Sequence, residues 1–249
     1  MRIYRIYTES ELRAGDALAL SERAAQHLVK VLRHRVGDRV TLFDGHGLEA
    51  SAEIVSAHRR HGCSVRVVET VEVSRESPLK IELLPGLSRG EKMDLVIQKS
   101  VELGVASIQP IITARSEVRP DKSVASRLAR WREIVIGACE QSGRAHLPEV
   151  HAPVPIEEIT TEGISIDAST RLVLDPAAAA TLADCRPTEN GISIAIGPEG
   201  GYSERDLALL ERIGFTGVRF GPRVLRTETA GIAAVAALQA LYGDLGNGT

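Results

Sequence analysis

The chain has 249 residues, of which 43% are apolar and 25% charged, enough for a real core in one large domain or two ordinary ones. Aromatics make up only 3%, so Leu, Ile, Val and Ala must fill most of that core. The formal net charge of -3 argues against a broadly basic nucleic-acid binder, but the charge is uneven: residues 1–74 carry 11 Lys/Arg against 10 Asp/Glu, residues 75–148 carry 12 against 9, and residues 149–249 carry 7 against 14, so the first two segments are the ones suited to a polyanion.

In chain order, Arg2–Tyr7 reads as a short strand, and Ser21 as the cap of a helix running through Leu32. Gly37-Asp38 and Asp44-Gly45 punctuate a strand between two turns. "LEASAEIVSA" and "CSVRVVETVEV" alternate as half-buried strands do, and pieces of this kind build small β barrels. The polar stretch Ser74–Pro78 marks a domain boundary, giving segments 1–74 and 75–249.

Beyond it the texture changes. "LKIELLPGL" is a nearly continuous apolar strand, and Met93, Ile97 and Val101 set a helical period over Gly90–Leu103. "VASIQPII" reads as a strand, Ala125–Cys139 as a helix, and "TRLVLDP" and "GISIAIG" as strands. A helix is expected from Ser203 through Ile213, a short strand at "GVRFG", and a last helix over Thr227–Tyr242. Buried strands alternating with helices imply an α/β domain with a mainly parallel sheet covered on both faces.

Cys63, Cys139 and Cys185 are too far apart for a zinc or redox pair, and an odd number of thiols fits a reducing compartment. The N-terminus lacks a signal-peptide core, and Ala230–Leu241 is too short to span a bilayer, so a cytoplasmic protein without metal or membrane partner is expected.

Two glycine-rich loops carry the chemistry. In "IAIGPEGGYSERD" an apolar strand ends at Gly197, and Gly200 and Gly201 precede a helix whose Ser203 and Asp206 are spaced as a capping box. The loop lacks the Lys-Ser/Thr of a phosphate-binding loop and the spacing of a dinucleotide fingerprint. A cofactor loop and a structural tight turn both remain open. In "GFTGVRFGPRVLRTETA" Arg226 is a fixed cation beside a helix start, and Glu228 lies in the first turn. A site cation and a structural Arg226–Glu228 pair are both open readings.

The sequence closely resembles the ribosomal RNA small-subunit methyltransferase E family of the SPOUT superfamily. The resemblance rests on "HLVKVLRHRVGD", "SRGEKMDLVIQKSVELGV", "ACEQSGRAHLPEV", "IGPEGGYS" and "GPRVLRTETA", in that order along essentially the whole chain. Phe220 stands where similar proteins commonly show Leu. The resemblance implies a PUA-like RNA-binding β-barrel domain over 1–74 and, over 75–249, a trefoil-knotted methyltransferase domain threaded between about Leu174 and Leu241. It also implies homodimers, S-adenosylmethionine as cofactor, and methylation of a uridine N3 in 16S ribosomal RNA of the small subunit. The cofactor residues so implied are Leu174, Gly197, Pro198, Glu199, Gly200, Gly201, Phe220, Gly221, Val224, Leu225 and Arg226. Arg226 is the first choice for stabilising charge on the base, with Glu199 and Glu228 as candidate proton acceptors. RNA contacts are expected from Arg2, Arg5, His27, Lys30, Arg33 and Arg35, from Arg89 and Lys92, and from Gln141 and Arg144. Another SPOUT methyltransferase with a different target nucleotide, or a non-catalytic RNA-binding protein, are the rival readings.

Overall fold

The computed structural model describes residues 4–58, 62–117, 124–159 and 170–246. It divides into two units, Met1–Glu76 with Ile136–Leu147, and Ser77–Val135 with Pro148–Thr249. The return of residues 136–147 to the first unit carries no signal in the local sequence.

The first unit is a five-stranded sheet. Its strands are β1 (Arg5–Tyr7), β2 (Ala17–Ala19), β3 (Arg39–Phe43), β4 (Leu48–His58) and β5 (Gly62–Glu72), in the order β1-β3-β4-β5-β2. Only β1 and β3 pair in parallel. The alternation read in the sequence sends Ala50, Ala52 and Ile54 of β4 and Cys63, Val65 and Val67 of β5 into one core with Ile6, Leu28 and Leu42. Register shifts at Ser51/Ala52 and Ile54/Ser56 interrupt the long β4–β5 ladder, as bulges that increase local twist do.

Ser21 caps α1 (Glu22–Gln26), accepting from the Ala24 amide at 3.3 Å. The helical path continues to Val31 as the sequence predicts, but as a π turn over His27–Val31. That widening buries Leu28 and Val29 while His27, Lys30 and Val31 stay exposed. Arg33 follows with φ 58, the left-handed conformation that a bulky side chain rarely adopts.

An ion-pair network fixes the polar part of this unit. The Glu49 carboxylate, only 6% exposed, pairs with Arg5 and with Arg75 Nη1 at 2.6 Å. Arg5 also donates to the Arg144 carbonyl at 3.0 Å and lies 4.8 Å from the centre of the Phe43 ring. Arg144 is itself buried and paired with Glu76. Burial alone would raise the Glu49 pKa, but hydrogen bonds from Arg75 and Arg5 outweigh it and hold the carboxyl below its ordinary value. A depressed folded-state pKa gives stability that is complete above the unfolded value and is lost as pH falls through the folded one. The melting temperature is therefore expected to drop in the parent as pH falls below the ordinary 4.5. In Glu49→Gln, which lacks this ionisation, the same pH step should produce a smaller drop. Calorimetric scans across that range check the difference.

The second unit holds a six-stranded parallel sheet in the order β13-β11-β12-β6-β7-β9. Its strands are β6 (Ile81–Pro85), β7 (Ser107–Ile108), β9 (Glu149–Val150), β11 (Thr170–Leu174), β12 (Ile192–Ile196) and β13 (Thr216–Val218). Every residue of β6 and β12 is buried, as near-continuous apolar strands should be. The expected strand "VASIQPII" is split into β7 and β8 (Ile111–Ile112), with Gln109-Pro110 between them. Proline cannot donate to a ladder, and β8 leaves the main sheet to pair with β10 (Val154–Pro155).

The helices are α2 (Glu91–Glu102), α3 (Val124–Ser142), α4 (Glu204–Arg212) and α5 (Thr227–Tyr242). From Ile136 onward, α3 is counted with the first unit. Helix α5 returns from edge strand β13 to pack on α2, β6 and β12, a crossing of the kind a knotted chain requires. Its Ala234, Val235 and Leu238 are fully buried, so one face of this alanine-rich helix is intramolecular core. The buried Gln239 is satisfied there. It accepts from Ser77 Oγ at 2.6 Å and donates to the Gly104 carbonyl at 3.3 Å.

Candidate active site

Ligands in open parallel sheets collect at the carboxyl ends of the strands. In the second unit the segments that follow β11, β12 and β13 converge at that edge around a cavity of about 550 Å³, within the range of small-molecule sites. Leu174, Asp175 and Pro176 come from the first segment, Gly197–Tyr202 without Gly200 from the second, and Arg219–Glu228 without Pro222 from the third.

Local chemistry explains the β12 segment. The Gly201 amide donates to the Pro198 carbonyl at 2.8 Å, closing a turn in which Gly201 takes φ 68. The next residues form the capping box anticipated from the sequence: Ser203 Oγ accepts from the Asp206 amide at 3.1 Å, and the Asp206 carboxylate accepts from the Ser203 amide at 2.8 Å. That carboxylate, buried, also accepts from Ala114 N at 3.3 Å. Gly86, at the end of β6, backs this wall. A β-carbon there would lie 2.4 Å from Pro198 N.

Glu199 is anchored as a wall residue. Its Oε1 accepts from Lys92 Nζ at 2.9 Å and its Oε2 faces Ser88 Oγ at 3.5 Å. Burial pushes its pKa up, but Lys92, the Glu199 backbone amide and Ser88 together bring it below the usual carboxylate range. The Tyr202 hydroxyl is buried without a hydrogen-bond partner, and burial, followed by the Asp206 charge, raises its pKa so that it stays a neutral phenol.

Arg226 is the N-cap residue of α5, and its carbonyl accepts from Ala230 N at 2.7 Å. Its side chain is exposed and lines the cavity. Among the described residues it has no ion pair, so the structural Arg226–Glu228 pair left open by the sequence does not form.

Ten of the eleven residues expected at a cofactor line this cavity: Leu174, Gly197, Pro198, Glu199, Gly201, Phe220, Gly221, Val224, Leu225 and Arg226. Gly200 does not. A β-carbon on Gly200 would meet Arg115 Cβ at 2.9 Å and the Arg115 carbonyl at 3.1 Å, so a neighbouring chain segment requires glycine there. The sequence missed Asp175, Tyr202, Arg219 and Arg223 as lining residues, and it placed Lys92 on RNA although Lys92 lines the cavity. The helical spacing put Lys92 on an exposed first turn, and nothing local points to Glu199.

The residues expected on RNA separate into groups. Arg2 lies outside the described residues. In the first unit His27, Lys30, Arg33 and Arg35 are all exposed on the π turn and the loop after it, and Gln141 is exposed at the end of α3. Arg5 and Arg144 are instead inside the ion-pair network. Turning Arg5 toward a phosphate would leave the buried Glu49 with Arg75 alone, and turning Arg144 would take the cation from half-buried Glu76. In the second unit Arg89 is exposed and 3.4 Å from Glu117. Among the described residues no cluster of side chains could hold a metal ion, and no helix is long and apolar enough to cross a membrane.

Comparison with known proteins decides the family. The sequence model of the RNA methyltransferase domain matches residues 75–239, and that of the RNA methyltransferase PUA domain matches residues 20–68. Ribosomal RNA small subunit methyltransferase E of Buchnera aphidicola is 34% identical over 98% of both chains. The chain belongs to the ribosomal RNA small subunit methyltransferase E family. Its namesake in Bacillus subtilis is 30% identical over 93% of each chain. Among solved structures, the Neisseria gonorrhoeae member bound to S-adenosyl methionine is 38% identical with a TM-score of 0.87, covering 98% of this chain and 100% of that one. A Legionella pneumophila structure, described as a methyltransferase in complex with the bound cofactor SAM, is 43% identical with a TM-score of 0.92 over the same shares. The fold class is that of this family, a SPOUT-type α/β methyltransferase domain preceded by a PUA-like β domain.

Proposed function

We propose that this protein transfers the methyl group of S-adenosylmethionine to N3 of a uridine in 16S ribosomal RNA. The observation that carries the reading is the cavity at the carboxyl ends of β11, β12 and β13, lined by nearly every residue that the family resemblance assigns to the cofactor. The cavity fits such a ligand. Leu174, Pro198, Phe220 and Leu225 offer apolar walls to a flat ring system, and the Gly197–Gly201 turn exposes backbone polar groups to read its edge. When bound, the cofactor supplies an electrophilic methyl group. The protein's own residues orient the base and stabilise charge developing on it. Arg226, charged and without an ion pair among the described residues, is the group proposed to meet the uracil oxygens.

The division of labour proposed is an RNA-positioning domain over 1–74 and a catalytic domain over 75–249. The exposed set His27, Lys30, Arg33 and Arg35 contacts backbone phosphates, with Gln141 and Arg89 as further contacts. The working form proposed is a cytoplasmic homodimer. Light scattering at micromolar concentration should give twice the chain mass, and a monomer would remove that part of the reading.

The deciding experiment incubates the protein with labelled S-adenosylmethionine and unmodified small-subunit particles, then maps the labelled nucleoside. N3-methyluridine is expected. A label on another nucleotide favours a different SPOUT target, and RNA binding without transfer favours a non-catalytic protein.

A further inference from the structure

Three carboxylates line the same cavity; Asp175 Oδ1 accepts from the Ala177 amide at 2.9 Å, and the surroundings of the other two, Glu199 and Glu228, differ. Glu199 takes hydrogen bonds on both oxygens, from the Lys92 ammonium at 2.9 Å and the Ser88 hydroxyl at 3.5 Å. Each stabilises the anion, and a carboxylate so stabilised is a weak base. Glu228 stands in the first turn of α5, and its Oε2 is shielded from solvent with no hydrogen-bond partner among the described residues. Glu228 therefore lines the cavity with a carboxylate oxygen that no donor of the described residues occupies. The charges facing the cavity are Lys92 from α2, Asp175 after β11, Glu199 after β12, and Arg219, Arg223 and Arg226 from the segment before α5. Lys92 is close enough for its charge to interact with Glu228, but its hydrogen bond goes to Glu199.

We propose that Glu228 is the catalytic residue that accepts the N3 proton of the target uridine, and that the Lys92–Glu199 pair keeps Glu199 out of that role. This rests on the N3-methylation reading above and deepens it. The N3–H bond breaks and its proton passes to the Glu228 carboxylate. The electron pair left on N3 forms the bond to the methyl carbon. The carbon–sulfur bond breaks with its pair remaining on sulfur, leaving a neutral thioether, and Glu228 afterwards returns its proton to water.

The test is Glu228→Gln, which keeps the shape and removes the basic oxygen. At saturating cofactor and particles near neutral pH, single-turnover transfer should slow by about 10²–10⁴-fold. Affinity for S-adenosylmethionine by calorimetry should stay within about three-fold of the parent, a change under roughly 1 kcal/mol. The residual rate should climb with pH as solvent hydroxide takes over proton removal. Particles carrying 5-fluorouridine, whose N3 is more acidic, should recover more rate in the variant than in the parent. Glu228→Asp, which retains a carboxylate one methylene back, should regain part of the lost rate and so separates chemistry from folding. A Glu228→Gln enzyme with the parent's rate and pH profile would overturn the assignment, as would one whose only defect is lost cofactor affinity. The parent's product separates the two levels. If the parent does not make N3-methyluridine, the functional reading fails first. If it does and Glu228→Gln equals it, only the role of Glu228 falls.

Discussion

Replacing Arg226 by alanine should slow single-turnover methyl transfer by about 10²–10³-fold, or roughly 3–4 kcal/mol, the usual loss when one well-placed charge-stabilising donor is removed. The loss should fall on chemistry and not on folding. Arg226 caps α5 through its backbone and not its side chain, and its exposed guanidinium has no ion pair among the described residues. Surface substitutions of this kind change stability by no more than about 0.5 kcal/mol. The melting temperature and the cofactor affinity are therefore expected to stay near the parent's while the rate collapses. Arg226→Lys keeps the charge and loses the planar fork. If the fork aligns the base, Lys restores little of the rate, and if charge alone matters it restores most. An Arg226→Ala enzyme working at the parent rate with both substrates saturating would remove the residue from the mechanism.

The second large effect is expected at a residue that never touches the cavity. Gly86→Val should cost at least about 10-fold in cofactor affinity and about 1–3 kcal/mol in stability, the range for forcing extra atoms into a packed site. A β-carbon at this position would lie 2.4 Å from Pro198 N and 2.8 Å from Pro198 Cα. These are backbone atoms, so relief requires the Gly197–Gly201 wall to move. The Gly86 amide donates to the Ile196 carbonyl at 2.7 Å, so Gly86 cannot retreat without breaking the β6–β12 register. Calorimetric titration with S-adenosylmethionine on a variant of verified fold would measure the effect. Unchanged affinity would mean that the wall tolerates displacement.

These two residues show what the sequence makes legible. Arg226 could be picked out locally, because a strand end, two glycines, a proline and an apolar helix surround it within a short stretch. The same locality made α5, the Ser203–Asp206 capping box and the largely apolar β6 and β12 readable, since periodicity and capping depend on neighbours along the chain. Gly86 could not be singled out, because its constraint is Pro198, a residue of another strand's loop. Long-range pairing is equally silent in the case of Arg5 and Arg144. Each looks like a phosphate contact as a residue type, and becomes a structural cation only when Glu49 and Glu76 arrive beside it. The Lys92–Glu199 pair is silent in the sequence for the same reason. At Gly200 the structure adds a constraint the sequence does not show, since a β-carbon there would meet Arg115.

The strand order of the parallel sheet sets a timetable for synthesis. Strand β6 pairs with β7 on one side and with β12 on the other, and the β12 side of Ile81 has no partner until Ile192 has been made. At ribosomal speeds of roughly 5–20 residues per second, that separation is a wait of roughly 5–20 s. Helix α5, which packs on both strands, emerges later still. Throughout that interval one edge of a strand buried at every residue in the finished protein is bare on the ribosome, open to aggregation or to capture by a holding chaperone. Protease pulses on stalled nascent chains should show Ile81–Pro85 becoming protected only in chains long enough to carry β12 and α5 beyond the exit tunnel. An enzyme whose proposed substrate is a ribosomal subunit would then itself be slow to leave the ribosome in finished form.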